Sequence, residues 1–145
     1  MYNDFTFNIV LFNPQIPPNT GNILRLCKNT GCKLHLIEPI GFNLNEKSLK
    51  RAFMDYADLK EIKIYESIKV FLKKINAKKI FLITKFGSQR YDKISYNLGD
   101  TLIFGSEITG LSNEVYDLLK DSDRLYIPMD SKYRSLNLAN AVSIC

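Results

Sequence analysis

One histidine, three cysteines and no uninterrupted apolar run of membrane-spanning length are the chain's main shortages. One His and three scattered Cys (Cys27, Cys32, Cys145) fall short of the ligand spacing of a zinc site, so no metal is expected. An odd number of cysteines without a framework pattern reads as free thiols in a reducing cytoplasm. No stretch approaches the roughly 18 continuous apolar residues of a transmembrane helix, so no membrane partner is expected. The opening MYNDFTFNIVLF carries an early acid and lacks the basic start of a secretory signal. His35 lies inside the apolar run LHLI, where a satisfied core imidazole is a better reading than a catalytic base. There is no Gly-x-Ser-x-Gly elbow, and Cys27 and Cys32 sit in packing and loop positions. Hydrolysis by a triad is therefore not supported.

What is present suits a single globular domain over residues 1–145, with 46% hydrophobic and 24% charged residues to build one core and its surface. The formal charge of +5 fits a polyanionic partner, while most lysines are spread as on solvated faces. Two patterns alternate along the chain. Apolar, β-branched runs at 7–12, 33–37, 62–65, 79–84, 101–105 and 124–129 read as strands. Amphipathic stretches at 17–31, 46–54, 67–75 and near 112–120 read as helices, the first capped by Asn19 or Thr20 and closed by Gly31. A last helix lies within RSLNLANAVSIC (134–145). Leu138, Ala141, Val142 and Cys145 form its apolar stripe, and Asn137, Asn140 and Ser143 a polar face. The order implies an α/β domain with a mainly parallel sheet flanked by helices.

Ligands of such sheets bind outside the carboxyl ends of the strands. The unusual residues cluster there, at Asn13–Asn22, Thr84–Ser88, Gly105–Gly110 and Asp130–Asn137. In LIFGSEITGL (102–111), Gly105 and Gly110 permit close backbone approach and an unusual φ. Their spacing is neither a P-loop nor a dinucleotide fingerprint, which disfavours a flavodoxin-like nucleotide-binding protein. In PPNTGNILR (17–25), the helix start suits an anion, and Asn22, Arg25 and Asn29 make a polar, cationic strip along one side.

Three stretches together, NPQIPPNTGNILRLCKNTGCKLHLIEPIGF (13–42), TLIFGSEITGL (101–111) and IPM with RSLNLANAVS (127–143), resemble the signature motifs of SPOUT-class RNA 2′-O-ribose methyltransferases. The first is especially similar to the group acting on the tRNA wobble nucleotide, C or U at position 34. The resemblance implies a C-terminal deep trefoil knot, a homodimer, tRNA as substrate and S-adenosylmethionine as methyl donor, with S-adenosylhomocysteine as product. It implies a cofactor pocket from Ile83, Thr84, Gly105, Glu107, Ile127, Met129, Ser135, Leu136 and Asn140. Arg25 becomes the expected catalytic side chain, binding phosphate and polarising the ribose hydroxyl, with Asn22, Asn29 and Arg134 as RNA contacts. A sulfonium donor already carries an electrophilic methyl, so no metal or covalent nucleophile is called for. Ile108-Thr109 stands where relatives often carry Thr-Arg, which leaves Lys85, Arg90, Lys132 or Arg134 to compensate. Relatives also continue past the equivalent of Cys145, so the terminal helix is expected to be cut short. The competing expectation is a non-catalytic RNA-binding protein of the same fold.

Overall fold

A computed structural model describes residues 6–44 and 62–145. Seven parallel strands form the sheet among these residues: β1 (Asn8–Phe12), β2 (Lys33–Ile37), β3 (Lys63–Tyr65), β4 (Ile80–Ile83), β5 (Gln89–Arg90), β6 (Thr101–Phe104) and β7 (Asp123–Tyr126). Their spatial order is β3-β2-β1-β6-β4-β7-β5. The α-helices among these residues are α1 (Pro17–Thr30), α2 (Ile68–Lys74), α3 (Asn113–Leu118) and α4 (Leu138–Ile144). The helix expected at 46–54 lies outside the described residues.

β1 is central, and all five of its residues are buried. That is why it reads as a continuous apolar run rather than an alternating one. Ile9 and Leu11 face one layer, with Ile23, Leu24 and Cys27 of α1 and Leu138 and Val142 of α4. Val10 and Phe12 face the other, with Ile68 and Phe71 of α2 and Val115 of α3. Each helix thus buries one stripe on the sheet, and its stability comes from that packing more than from its length.

The local stops and starts follow the chemistry of single residues. Gly31 closes α1 in the left-handed region at φ 73°, its N–H bonding Cys27 O. Ser67 and Ser112 cap α2 and α3 by accepting from Val70 N and Val115 N. α1 departs from expectation at its start. Pro17 and Pro18 occupy its first two positions, Ile16 precedes them without a side-chain cap, and Asn19 and Thr20 are buried inside the first turn.

β7 ends at Tyr126, so Ile127–Met129 is connection rather than strand. β5 was not expected. It is a two-residue exposed edge held to β7, too short to carry a period. In α4 the buried residues are Leu138, Ala139 and Val142, while Ala141 and Cys145 are only half-buried, so the apolar stripe is rotated from the expected one.

His35 is buried, as expected for a core imidazole. Its Nε2 lies 2.9 Å from Asn8 Oδ1 and its Nδ1 3.1 Å from the Tyr65 hydroxyl. Asn8 Nδ2 donates to Gly99 O and Thr101 Oγ1, which assigns its Oδ1 as the acceptor from Nε2–H. The Tyr65 hydroxyl then donates to Nδ1. Burial, with Lys63 and Lys33 adding to it, brings the His35 pKa down from 6.5 to about 4, so the ring is neutral.

Candidate functional site

A cleft of about 240 Å³ opens where β4, β6 and the segment after β7 end. Of the nine residues expected to hold a cofactor, Ile83, Thr84, Gly105, Glu107, Ile127, Met129, Ser135 and Leu136 line it together. Asn140 does not: it is exposed on α4, and Leu138 and Ala141 are the helix residues that face the cleft. The helix phase is the reason, since Asn137 caps α4 and sets the i, i+3 pair Leu138 and Ala141 toward the strand ends.

The floor is the loop after β6. Ser106 and Gly110 exchange backbone hydrogen bonds of 2.9 and 3.1 Å, and Gly110 has φ 67°. This folds the loop back onto Gly105, where a Cβ would overlap the Gly110 carbonyl carbon and stand 2.6 Å from Leu111 N. Glycine at 105 is therefore required first by the loop itself. On the opposite wall Thr84 Oγ1 accepts from Phe86 N and shares a 2.7 Å hydrogen bond with the Tyr116 hydroxyl. The Arg124 guanidinium lies 4.6 Å from the Tyr116 ring centre. Tyr116 was not anticipated; only its place on the capped helix after the glycine loop hints at it.

Glu107 reaches away from the cleft to the start of α1. Its carboxylate accepts from Gln15 N (2.8 Å), Ile16 N (3.1 Å) and Asn19 Nδ2 (3.3 Å). Pro17 and Pro18 have no N–H to offer. The anion site expected at this helix start is thus filled by the chain's own carboxylate. The crevice between β1 and β6, where the strand order reverses and a doubly wound sheet would bind its ligand, is spanned by the same contact. Asn19 Oδ1 in turn accepts from Asn137 Nδ2 at 2.8 Å, and Asn137 Oδ1 accepts from Ala139 N and Asn140 N. Glu107, Asn19 and Asn137 therefore lock three signature stretches into one frame. Asn19 and Asn137 were visible in the sequence only as cap and polar-face residues, because their partners lie far along the chain.

Arg25, Asn22 and Asn29 are exposed on α1, and none of them lines the cleft. Asn29 Nδ2 donates to Arg25 O at 2.9 Å. Arg134 is exposed beside Ser135 and borders a second hollow of about 500 Å³, which shares Lys85, Ile127, Met129 and Ser135 with the cleft. Of the other cations proposed to compensate at 108–109, Arg90 is engaged in a bidentate pair with Asp92, at 3.0 and 2.9 Å. Among the described residues no three His, Cys, Asp or Glu side chains stand close enough to hold a metal.

Chemically, the cleft mixes apolar side chains with the hydroxyls of Thr84, Ser106, Thr109, Tyr116 and Ser135, the cation Lys85 and one carboxylate, Glu107. All three cysteines are free thiols outside the cleft. Burial, joined at Cys27 by the nearby Cys32, pushes the thiols of Cys27 and Cys145 up to about 12, so neither is a nucleophile. Such a lining can bind and orient a ligand that presents both apolar and polar surface.

The whole described fold has known relatives. The tRNA (cytidine(34)-2′-O)-methyltransferase of Aeromonas hydrophila is 45% identical over 137 residues, which is 94% of this chain and 88% of that protein. A chain solved in work on the 2-OH methylation of C/U34 on tRNA superposes with a TM-score of 0.87 at 37% identity, over 97% of this chain and 91% of that one. An AdoMet-bound rRNA methyltransferase from Sinorhizobium meliloti shares the fold, with a TM-score of 0.82 at 22% identity, over 98% of this chain and 54% of that one. Residues 6–145, carrying the glycine loop, the Glu107 frame and the strand-end cleft, match the SpoU rRNA methylase family, and the chain belongs to it.

Proposed function

We propose that this chain transfers a methyl group from S-adenosylmethionine to the ribose 2′-hydroxyl of nucleotide 34, C or U, of tRNA. The observation that carries the reading is the cleft. Residues of two signature stretches, 101–111 and 127–143, meet in it beside Ile83 and Thr84, and Glu107 ties its floor to the first stretch, in a chain 45% identical to a tRNA (cytidine(34)-2′-O)-methyltransferase. When bound, the cofactor supplies a sulfonium-activated methyl and leaves as S-adenosylhomocysteine.

The residues present fit it. Ile83, Ile127, Leu136 and Leu138 offer apolar walls for the adenosine, and Thr84, Gly105, Met129 and Ser135 bring polar and backbone groups to the same space. Asn140 is withdrawn from this set. Glu107 is a positioning residue, since its carboxylate holds the floor of the cleft to α1. A guanidinium offers a planar fork of donors, so the role given to Arg25 is to bind phosphate and polarise the 2′-hydroxyl. Asn22, Asn29 and Arg134 orient the RNA. The reading includes a homodimer in the cytoplasm and a terminal segment threaded through a trefoil knot, both supported by the family resemblance.

The test is Arg25→Ala, assayed with labelled S-adenosylmethionine and tRNA, with nucleoside mapping of the product and calorimetry for the cofactor. Transfer is expected to fall by on the order of 100-fold or more, as when one transition-state donor is removed, with cofactor affinity little changed. Near-normal transfer by the variant would refute the role of Arg25. Absence of cofactor binding by the folded wild-type chain would favour the non-catalytic RNA-binding alternative.

A further inference from the structure

We infer that the hollow beside the cofactor cleft is a nucleobase subsite. There Tyr133 stacks on an unpaired base flanking the methylated nucleotide, and Lys85 and Arg134 take its phosphates. The inference rests on the proposed tRNA reading and deepens it.

Four large apolar side chains stand open around the two adjoining cavities: Tyr133 at 78% exposure, Ile108 at 75%, Phe86 at 69% and Met129 at 42%. A rim this apolar at the mouth of a cleft marks a surface that meets something. Tyr133 is set there by a built turn, with Asp130 Oδ1 accepting from Lys132 N at 2.9 Å and Asp130 O from Tyr133 N at 3.2 Å. The Asp130 carboxylate is therefore used within the turn. Lys85 and Arg134 border the same hollow, and Lys85 Nζ lies 5.1 Å from the Phe86 ring centre.

Charge chooses the occupant. A second copy docked by this face would set Lys85, Lys132 and Arg134 against their like, on chains that each carry +5. A single-stranded RNA loop offers what the rim lacks, a flat π-face for each aromatic and a phosphate for each cation. Lys85 and Arg134 would then supply the cationic contact that Ile108-Thr109 does not.

The chain has no tryptophan, so Tyr133→Trp places a single indole reporter in the hollow. Its emission should be quenched by an anticodon stem-loop RNA, and much less by the same RNA made abasic on both sides of nucleotide 34. Tyr133→Ala should raise KM for tRNA by about 5- to 100-fold, as for the loss of one stacked base, with kcat and cofactor affinity unchanged. Tyr133→Phe should restore the wild-type KM. Equal quenching by the abasic RNA, or an unchanged KM in Tyr133→Ala, would overturn the subsite alone. Conversion of a wild-type dimer to monomer by Tyr133→Ala would make Tyr133 a contact between copies and also overturn it. If the wild-type chain transfers no methyl to nucleotide 34, the tRNA reading fails and the subsite with it.

Discussion

Beneath β3, β2, β1 and β6, Tyr65, His35, Asn8 and Thr101 form one buried hydrogen-bonded chain across four strands, whereas past the carboxyl ends of β4, β6 and β7 Phe86, Ile108, Met129 and Tyr133 stand in the open. The first group is buried, and its side chains hydrogen-bond one another inside the fold. The second group has apolar surface left exposed among the described residues, with cations beside it. Polar chemistry that closes on itself is scaffold, and it holds the four strands in register. Apolar and cationic chemistry left open needs an occupant. That difference separates the lone histidine, whose residue type suggests catalysis, from the glycines and aromatics that line the candidate site.

The strongest way to break the comparison is to push the closed character into the open end. Gly105→Ala places a methyl group where the backbone of Gly110 and Leu111 already runs, so the loop at the cleft floor must move. Overpacking against backbone should cost about 1–3 kcal/mol of stability and lower affinity for S-adenosylmethionine by about 100-fold. Calorimetry and thermal unfolding measure both. Wild-type affinity in this variant would show that the cofactor does not sit on this loop.

The opposite move opens the closed end by titration. The folded-state pKa of His35, about 4, lies below its ordinary value of 6.5, so protons bind preferentially to the unfolded chain. Its contribution is complete above about pH 6.5 and is lost as the pH falls through 4. At about 1.4 kcal/mol for each tenfold difference in proton affinity between folded and unfolded chain, the loss approaches about 3 kcal/mol at the acid limit. Urea unfolding from pH 7.5 to 4 should show this slope, and His35→Gln should flatten it. A variant that keeps the wild-type slope would assign the acid sensitivity to carboxylates instead.

The same contrast explains what the sequence made legible. β1, β2, β4 and β6 were readable because burial on both faces writes an unbroken apolar run, and α2 because Ser67 and Ile75 bracket an amphipathic stretch. Gly31 was readable because its left-handed backbone suits glycine, and Gly105 because it stands at the end of an apolar strand run. What stayed hidden depends on partners far along the chain. Glu107 holds α1 across 91 and 92 residues of sequence, so nothing local announces that Asn19 and Thr20 are not its caps. The expected stripe of α4 was rotated because Ala139, on the layer shared with α1, is buried, and Ala141 turns to the cleft. Tyr116 enters the site only because Thr84 comes to meet it from β4.

The smallest effect expected lies where scaffold and site join. Asn137 caps α4 and bonds Asn19, which bonds Glu107, so one side chain ties the terminal helix to the cleft floor. α4 has seven residues and no stability of its own, so its first turn depends on this cap. Asn137→Ala should cost about 1 kcal/mol, or roughly 3 °C in Tm. Leu138 and Ala141 should then be held less firmly, and cofactor affinity should fall a few-fold. Asn137→Ser keeps an oxygen for Ala139 N and Asn140 N but loses the donor to Asn19. If Ser restores stability but not affinity, the Asn137–Asn19 bond serves the site and the cap serves the helix. If Ala and Ser both leave Tm and affinity as in the wild type, the frame through Asn19 does not hold the cleft.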